Sequence, residues 1–329
     1  MNRKLIRYVI ESISVLNGTI TEIPGNQISK TNTLTDSYGR AIKSLRISIT
    51  KKCNLKCIYC HGEGENSNKG REMTPERIAS IVTSAARFGV SKVKFSGGEP
   101  LMRDDLEEII ASLPRLKNIS ATTNGVMLAQ RAASLAESGL DRVNISLPSV
   151  NRENYGAITG SSNALPKVIE GINAGIDAGL TPIKLNMVLL KGINEFEIDN
   201  AIKFISTYDG NVILQLIELM NFKNVSQFMV DIESVEKMLE KRASHIKERE
   251  MHRRKKYFID GTEVELVRPI DNSRFCANCN RLRVTSNGQL KPCLMRNDNL
   301  VEIKEGASSS EIDELLKMAV MKREPFYKG

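Results

Sequence analysis

Six cysteines divide into two groups of three, and their spacing is the first sign of chemistry in this sequence. They are Cys53, Cys57 and Cys60 in TKKCNLKCIYCHGEGE, and Cys276, Cys279 and Cys293 in RFCANCNRLRVTSNGQLKPCL. In a reducing compartment, clustered cysteines indicate metal binding rather than disulfides. An odd number in each group would also leave one thiol unpaired. We therefore expect two metal sites.

Three interpretations compete for the first group. The run CIYCH (57–61) matches the pattern of covalent c-type haem, but such haem is attached after export and would leave Cys53 unused. Zinc could bind the three thiolates and His61, although His61 directly follows Cys60 and adjacent residues seldom reach one metal. A [4Fe–4S] cluster takes one thiolate per iron, so three cysteines leave one iron open to a small molecule. The spacing favours this third interpretation.

Alternating strand and helix patterns must position these groups. Apolar runs typical of strands buried on both faces occupy 45–49, 92–96, 118–123, 142–147, 182–190 and 211–219. Helical patterns separate them, and one is predicted to start with Thr74 as N-cap and Pro75 as its first residue. Six such units predict an α/β fold, either an incomplete barrel or an open doubly wound sheet.

Polar residues and glycines follow the ends of the predicted strands. The first cysteine group follows the first strand, SGGEP (96–100) the second and TTNG (122–125) the third, while Asn144 and Ser146 end the fourth. Ligands of α/β barrels and open α/β sheets bind at the carboxyl edge of the strands. We therefore expect these residues to form one site, with the SGGEP glycines letting the backbone approach a ligand.

After residue 220 the alternation stops. A charged helical pattern covers 234–250, a hairpin is predicted to turn at Asp260 and Gly261, and a polar helical tail follows the second cysteine group. We expect three regions. They are an N-terminal extension (1–37) that forms a small cap or mobile arm, a barrel core (38–222), and a C-terminal region with the second cysteine group (223–329).

Composition and charge restrict the class of protein. The chain is 41% hydrophobic and 26% charged, which is typical of a globular protein with a large core, and its net charge of +8 favours an anionic partner. Aromatic residues are few and Trp is absent, so stacking on single-stranded nucleic acid is poorly supported. The basic run HRRKK (252–256) is expected to be a solvated face. Because Arg7 and Glu11 interrupt any signal-peptide stretch and no long apolar run occurs, we expect a cytoplasmic protein without a membrane span.

The stretch CNLKCIYC resembles the signature of radical S-adenosylmethionine (SAM) enzymes, and SGGEP one strand later supports the likeness. Five blocks, from DSYGRAIKSLRISITKKCNLKCIYC to FCANCNRLRVTSNGQLKPCL, are similar in sequence and order to those of MoaA-type GTP 3′,8-cyclases of molybdenum cofactor biosynthesis. The likeness runs from about residue 36 to 300. It implies a partial (β/α)6 TIM-type barrel of the radical SAM type, with a C-terminal α+β extension carrying a second Fe–S cluster.

The resemblance also implies the cofactors, partners and reaction. Two [4Fe–4S] clusters, SAM and an electron donor would serve a reaction on GTP. A 5′-deoxyadenosyl radical would take the ribose H3′, C3′ would attack C8 of guanine, and reduction would give 3′,8-cyclo-7,8-dihydro-GTP. The product would pass to a downstream cyclic pyranopterin monophosphate synthase. A homodimer is compatible with the chain, and no nucleic acid or membrane partner is implied.

Site residues follow from the same resemblance. One cluster would be held by Cys53, Cys57 and Cys60, and the other by Cys276, Cys279 and Cys293, with its open iron touching guanine. SAM would contact the Tyr59 backbone, Gly98, Ser146 and Met220. GTP would contact Arg46, Lys94, Thr122, Lys184, Arg281 and Arg283. Apart from the resemblance, Lys and Arg are rarely buried in apolar strands without a partner, which favours a bound anion.

Three positions depart from the family pattern. Gln215 stands where many members have arginine, so one phosphate contact is absent or comes from elsewhere in the chain. Pro148 stands where the family often has aspartate. The sequence ends in YKG with a single Gly329 rather than Gly-Gly, which leaves the role of the tail undecided.

Alternative functions are also compatible with parts of the sequence. A radical SAM enzyme that modifies a peptide would carry C-terminal clusters, but it usually has more auxiliary cysteines and does not need Arg281 and Arg283. The second cysteine group alone could be a structural metal site completed by a remote residue. A basic zinc protein that binds nucleic acid would require the strand-edge motifs to be coincidental.

Overall fold

A computed structural model describes residues 33–65, 70–222, 225–270 and 272–326, and within them twelve strands form one sheet. The strands are β1 (Ser44–Thr50), β2 (Lys92–Gly97), β3 (Asn118–Thr123), β4 (Arg142–Ser146), β5 (Ile183–Val188), β6 (Val212–Ile217), β7 (His245–Glu248), β8 (Lys255–Ile259), β9 (Thr262–Val267), β10 (Arg281–Val284), β11 (Gln289–Lys291) and β12 (Val301–Glu302). The α-helices are α1 (Pro75–Arg87), α2 (Leu106–Ala111), α3 (Leu128–Ser138), α4 (Arg152–Thr159), α5 (Ala164–Asp177), α6 (Ile198–Ser206), α7 (Ile232–Arg242), α8 (Ser273–Ala277) and α9 (Ser309–Met321). Most of the predicted N-terminal extension, residues 1–32, lies outside the described residues.

Six parallel strands form the centre of the sheet. β1 to β6 pair with one another in chain order, which confirms the six predicted strands. A doubly wound sheet reverses its strand order at a switch point, whereas this order never reverses, so the barrel alternative is the right one. Among the described residues no strand pair joins the two ends of the sheet, and the barrel is therefore partial and open.

The C-terminal region extends the same sheet at both ends. β10 pairs in parallel with β1, and β9 pairs in parallel with β6. The antiparallel strands β11 and β12 follow on one side, and β8 and β7 on the other. Residues on both sides of the predicted boundary at 222 and 223 therefore contribute to one continuous sheet. The three-region division itself stays a prediction.

Local signals set several element ends. The Thr74 hydroxyl accepts a hydrogen bond from the Arg77 N–H at 3.3 Å, which confirms the predicted N-cap of α1. Asp260 and Gly261 have φ values of 49° and 76°, as the predicted hairpin turn between β8 and β9 requires. Among the described residues no helix is long and apolar enough to cross a membrane.

The helical prediction over 234–250 is too long. Helix α7 ends at Arg242, and the exposed segment His245–Glu248 is instead strand β7, paired antiparallel with β8. Because this edge strand buries none of its residues, it has no apolar alternation that could have revealed it.

Candidate functional site

The six residues predicted to bind GTP share one face of the sheet. Arg46 pairs in register with Lys94 on β2 and with Arg283 on β10. Asn144 on β4 is the register partner of both Thr122 on β3 and Lys184 on β5. Registered partners, and residues two apart in a strand, project on the same side of a sheet. That side therefore carries Arg46, Lys94, Thr122, Lys184, Arg281 and Arg283.

This face is concave. The Arg46 Nη2 on β1 lies 3.4 Å from the Thr122 hydroxyl on β3, so the contact passes over β2. The Lys184 Nζ on β5 likewise reaches over β6 to Glu265 on β9, at 2.6 Å. The opposite face of these strands carries Leu45, Ile47 and Val93, which pack in one core with the helices. The predicted GTP residues therefore line the interior of the partial barrel.

Glu63 joins the loop of the first cysteine group to this interior. Its carboxylate accepts a hydrogen bond from the Arg283 Nη1 at 2.7 Å and pairs with the Arg46 Nε at 3.2 Å. Burial alone would raise the pKa of Glu63, but Arg46 and Arg283 outweigh it and hold that pKa at about 2. Glu63 is thus a buried anion between two predicted substrate-binding arginines. No sequence signal identified it.

Glu265 is a second buried anion on the opposite side of the interior. Besides Lys184, its carboxylate accepts hydrogen bonds from the Arg249 Nη1 at 2.8 Å and from the Gln215 amide, and it lies 3.4 Å from the Arg254 Nη1. Burial raises its pKa, but Lys184, Arg254 and Arg249 outweigh this effect and hold it at about 2. Gln215, one of the departures from the family pattern, is therefore a partner of Glu265.

Cations outnumber carboxylates around this interior. The cations are Arg46, Lys94, Lys184, Arg249, Arg254, Arg281 and Arg283, and the carboxylates are Glu63 and Glu265. Burial and neighbouring like charges lower the pKa of both Lys94 and Arg281. Neither side chain has a hydrogen-bond or ion-pair partner within the described parts of the chain. Charges in such surroundings need counter-charges, so the interior suits a ligand with several negative charges.

The first cysteine group lies in the loop after β1. Backbone bonds from Lys56 to Thr159 (3.0 Å) and from Ile58 to Ile158 (2.9 Å) hold this loop on the end of α4. Burial and the neighbouring thiolates raise the pKa of Cys57 to about 12. Burial also raises the pKa of Cys53, and thiols that resist ionisation suit a cationic centre that replaces their protons, so this donor set fits an iron–sulfur cluster.

The two glycines of SGGEP pack against the backbone just before Cys53. The Gly98 N–H donates to the Thr50 carbonyl at 2.8 Å, and the Glu99 N–H donates to the Lys52 carbonyl at 2.7 Å. A Cβ at Gly97 or Gly98 would overlap backbone carbonyl oxygens of residues 50–52. The close approach expected from the sequence is thus made to the cysteine loop, and contact of Gly98 with SAM stays a prediction.

Hydrogen bonds of Glu99 connect the end of β3 to the first cysteine loop. Its buried carboxylate accepts hydrogen bonds from the Thr123 hydroxyl and the Asn124 N–H, each at 2.6 Å. The Asn124 amide then donates to the Asn54 side chain at 2.6 Å.

The predicted SAM residues lie at the same carboxyl edge of the strands: Gly98 follows β2, Ser146 ends β4 and Met220 follows β6. Tyr59 packs on a small apolar cluster there.

The second cysteine group lies at the opposite edge of the sheet. Cys276 belongs to α8, and Cys279 precedes β10, whose first residue Arg281 is opposite Ser44 at the start of β1. β11 runs back antiparallel to β10 and leads to Cys293 at this same amino edge. The concave cationic face therefore lies between the two cysteine groups. The sequence did not predict this opposition.

Two buried arginines hold the second cysteine loop. Arg323 donates to the Cys279 carbonyl and to Asp36, both at 2.7 Å, and Arg40 donates to the Cys276 carbonyl at 3.0 Å. Arg40 is also bonded to Asp36, which lies between the two guanidinium groups. Open clefts of about 790 Å³ and 360 Å³ border the adjacent segment, but no predicted cluster, SAM or GTP residue lines them.

A mononuclear zinc site finds no support in the described ranges. Within them no three His, Cys, Asp or Glu side chains are placed around one metal ion. The His61 ring instead packs against Phe222, with centroids 5.4 Å apart. Thiolates of a [4Fe–4S] cluster each bind their own iron and do not have to converge on one point.

The basic run 252–256 is not the solvated face expected from the sequence, because only Arg253 in it is exposed. His252 is 6% exposed and stacks on Phe275, with ring centroids 3.7 Å apart. Burial and the nearby arginines lower the pKa of His252 to about 2, so it is neutral. The expectation failed because this segment folds back against the second cysteine loop, a contact that local composition cannot show.

Comparisons with known proteins identify the family of this chain. A model of the radical SAM superfamily matches residues 47–205, and a model described as Molybdenum Cofactor Synthesis C matches 212–328. A "Probable GTP 3′,8-cyclase" of Methanosarcina acetivorans is 58% identical over 300 residues, covering 89% of this chain and 90% of that protein. The chain belongs to the GTP 3′,8-cyclase family of radical SAM proteins. A protein of the same printed name from Archaeoglobus fulgidus is 45% identical over 299 residues, 90% of this chain and all of that one.

Solved structures support the fold of this family member. Native anSMEcpe with bound AdoMet superposes with a TM-score of 0.61 at 18% identity, covering 86% of this chain and 81% of that one. Streptococcus suis SuiB bound to S-adenosylmethionine gives 0.58 at 15% identity, covering 88% and 70%. As a radical SAM enzyme, the chain uses a [4Fe–4S] cluster and SAM. The peptide-modifying alternative is not favoured, because the relatives of high identity are named GTP 3′,8-cyclases.

Proposed function

We propose that this chain is a radical SAM GTP 3′,8-cyclase that converts GTP to (8S)-3′,8-cyclo-7,8-dihydroguanosine 5′-triphosphate in molybdenum cofactor biosynthesis. One observation carries the proposal: seven cations face two carboxylates in an interior that lies between two groups of three cysteines. A triphosphate matches the excess charge, and a group of three cysteines at each end leaves an iron coordination position at each end of the substrate. A peptide substrate would not require this excess.

In this proposal the two cysteine groups serve different ligands. Cys53, Cys57 and Cys60 would hold the cluster that binds SAM, and Cys276, Cys279 and Cys293 would hold a second cluster that serves the guanine of GTP. When bound, the first cluster and SAM supply the 5′-deoxyadenosyl radical that takes H3′ of the ribose. Tyr59, Gly98, Ser146 and Met220 orient SAM at the carboxyl edge of the strands.

The cationic residues bind and orient GTP. The cations are Arg46, Lys94, Lys184, Arg281 and Arg283, and the Thr122 hydroxyl joins them. Arg46 and Arg283, tied to the first cysteine loop through Glu63, hold the ribose near that loop. Holding C3′ and C8 in one geometry within an interior that excludes water favours their joining over side reactions.

The wider arrangement is also part of the proposal. Residues 38–222 supply the barrel and the SAM site, residues 223–329 supply the second cluster and part of the GTP site, and residues 1–37 are an extension. The enzyme works in the cytoplasm, receives electrons from an external donor and passes its product to a cyclic pyranopterin monophosphate synthase. A homodimer stays a prediction.

The reaction itself tests the proposed function. Reduced protein with reconstituted clusters is incubated with SAM and GTP, and both 5′-deoxyadenosine and the cyclised nucleotide are measured. We expect 5′-deoxyadenosine to form in a GTP-dependent manner and in step with the nucleotide product. Equal 5′-deoxyadenosine with and without GTP, and no cyclised product, would mean that GTP is not the substrate.

Metal analysis after anaerobic reconstitution tests the two clusters. About eight irons per chain are expected, falling to about four when Cys276, Cys279 and Cys293 are replaced by alanine. Stoichiometric zinc without iron would contradict both clusters. Four irons in the unaltered chain would contradict the second one.

Arg281→Ala tests the assigned GTP site. Arg281 has no partner within the described residues, so its removal should weaken GTP binding by about 10- to 100-fold, the range of a charge-assisted hydrogen bond. SAM binding should be unchanged, because the predicted SAM residues lie at the other edge of the sheet. Equilibrium binding of both ligands is the measurement, and unchanged GTP affinity would remove Arg281 from the site.

A further inference from the structure

Residues 249–254 form a closed turn at the edge of the cationic interior. The Arg249 N–H donates to the Arg254 carbonyl at 2.8 Å, which closes this 249–254 turn. His252 and Arg253 have φ values of 61° and 51°, a left-handed conformation that is unfavourable for residues with a Cβ. Two consecutive residues in this conformation persist only where the surroundings hold them, and such strain is concentrated at functional sites.

Contacts with the second cysteine loop hold the turn. The His252 ring stacks on Phe275, which directly precedes Cys276. The His252 N–H donates to the Asn278 carbonyl at 3.3 Å, next to Cys279. The turn is therefore anchored to the loop that precedes β10, the strand of Arg281 and Arg283.

The anchored turn brings two arginines to Glu265. Arg249 and Arg254 lie 2.8 Å and 3.4 Å from its carboxylate, which is already bonded to Lys184 at 2.6 Å. One negative charge thus serves three cations. The Arg254 Nε is buried and has no hydrogen-bond partner among the described residues. Glu265 therefore neutralises only part of the positive charge around it, and the Arg254 Nε–H has no acceptor among the described residues.

Arg254 also belongs to the same cationic group as the predicted GTP residues. Its side chain is 13% exposed, and its charge contributes to lowering the pKa of Lys94 and of Lys184. An anion that contacts Lys184 from the interior would therefore lie close to the charge of Arg254. Arg249 lies close to it as well, because it pairs with the same Glu265 carboxylate.

We propose that Arg249 and Arg254 bind the phosphate groups of a nucleoside polyphosphate together with Lys184, and that Glu265 keeps these three side chains together. The inference rests on the proposed function, since it assigns further residues to the same GTP site. It places part of the phosphate site on a turn outside the barrel strands. Removing the two arginines should therefore reduce affinity in proportion to the phosphates on the ligand.

Binding of GTP, GMP and guanosine to the reconstituted full chain with SAM, without reductant, tests this inference. In the double variant Arg249→Gln, Arg254→Gln we expect GTP affinity to fall about 10- to 100-fold or more, GMP affinity to fall less, and guanosine affinity to stay unchanged. Arg253→Gln is the matched control. It removes one arginine charge from the same turn and is compared with each single glutamine variant as well as with the double one. Its side chain is 47% exposed and paired with Glu248, so GTP affinity should not change.

Melting temperature and iron content show whether the glutamine variants fold. If they fold poorly, lysine variants are tested in their place. Arg249→Lys and Arg254→Lys keep the charge and should retain part of the phosphate-dependent affinity. Glutamine variants that bind GTP like Arg253→Gln, or that lose GTP and guanosine equally, would overturn the inference. If only Arg281→Ala loses GTP, the inference fails while the proposed function stands. If the unaltered protein binds GTP no better than guanosine, the proposed function itself fails.

Discussion

The pKa of Lys184 depends on two opposing effects, its burial and the charge of Glu265. Its side chain is 14% exposed in β5, and burial lowers its pKa to about 8 although the Glu265 carboxylate opposes this. Arg249 and Arg254 lower the pKa further, and Lys94 is another cation that faces Lys184. Near pH 8 the free protein therefore holds Lys184 close to its midpoint of protonation.

GTP affinity should follow this titration. Only the ammonium form attracts phosphate, so affinity is full below the pKa of Lys184 and declines as pH rises through about 8. The decline should approach tenfold between about pH 7 and pH 9.5. Lys184→Arg keeps its charge over this range and should give a flatter profile. The measurement is the dissociation constant of GTP as a function of pH for the unaltered chain and for Lys184→Arg. Identical pH profiles would show that Lys184 does not contact the phosphates.

Some site residues could be predicted from the sequence and others could not. Arg46, Lys94 and Lys184 are conspicuous because charges interrupt apolar strands. Glu265 lies in TEVELV, whose alternation would suit a solvent-facing hairpin side, yet it is completely buried because β9 pairs with β6. Glu63 lies in a loop without periodicity. Both carboxylates acquire their roles only through contacts distant in sequence.

Among the elements, the loops after β1 and β2 form one unit through backbone contact. Gly98→Ala should displace the first cysteine loop, because the added Cβ overlaps the carbonyl oxygens of Lys51 and Lys52. We expect iron to fall from about eight to about four per chain after reconstitution. Gly210→Ala is the control, since a Cβ there meets no atom within 4 Å, although φ is 77°. Iron retained at the level of the control would refute the packing role.

The second cysteine loop depends on the arginines that bind its carbonyls. Arg323 is 4% exposed and links the Cys279 carbonyl to Asp36, so Arg323→Gln should loosen this loop. We expect loss of up to about four irons on desalting, with SAM binding retained. Arg296→Gln, which removes an arginine paired with the exposed Asp298, should keep its iron. Equal iron in both variants would show that Arg323 does not position the second cluster.

Elements with their own periodicity were predictable, whereas their neighbours were not. The six central strands have apolar runs, and the Asp260–Gly261 turn has the residues that a tight hairpin needs. Strand β7 lacks any such pattern because all four of its residues are exposed. The pairing of β10 with β1 joins residues more than two hundred positions apart, and no local pattern reports such a pairing.

At the scale of the whole molecule, the C-terminal region adds three strands to each end of the barrel sheet. β10 brings Arg281 and Arg283 beside β1, and β9 brings Glu265 beside β6. The cationic interior is thereby lined from both ends of the sheet, with one cysteine group at each edge. A family resemblance could predict the ligands, but the position of the cationic interior between the two cysteine groups follows from the strand pairing.

Transfer of the ribose hydrogen tests the central claim most directly. Reduced, reconstituted protein is incubated with SAM and GTP carrying deuterium at C3′, and the 5′-deoxyadenosine is examined by mass spectrometry. If the interior holds GTP with C3′ directed toward SAM, 5′-deoxyadenosine should contain one deuterium, and the nucleotide product should have lost it. Unlabelled 5′-deoxyadenosine formed together with intact deuterated GTP would contradict the proposed reaction.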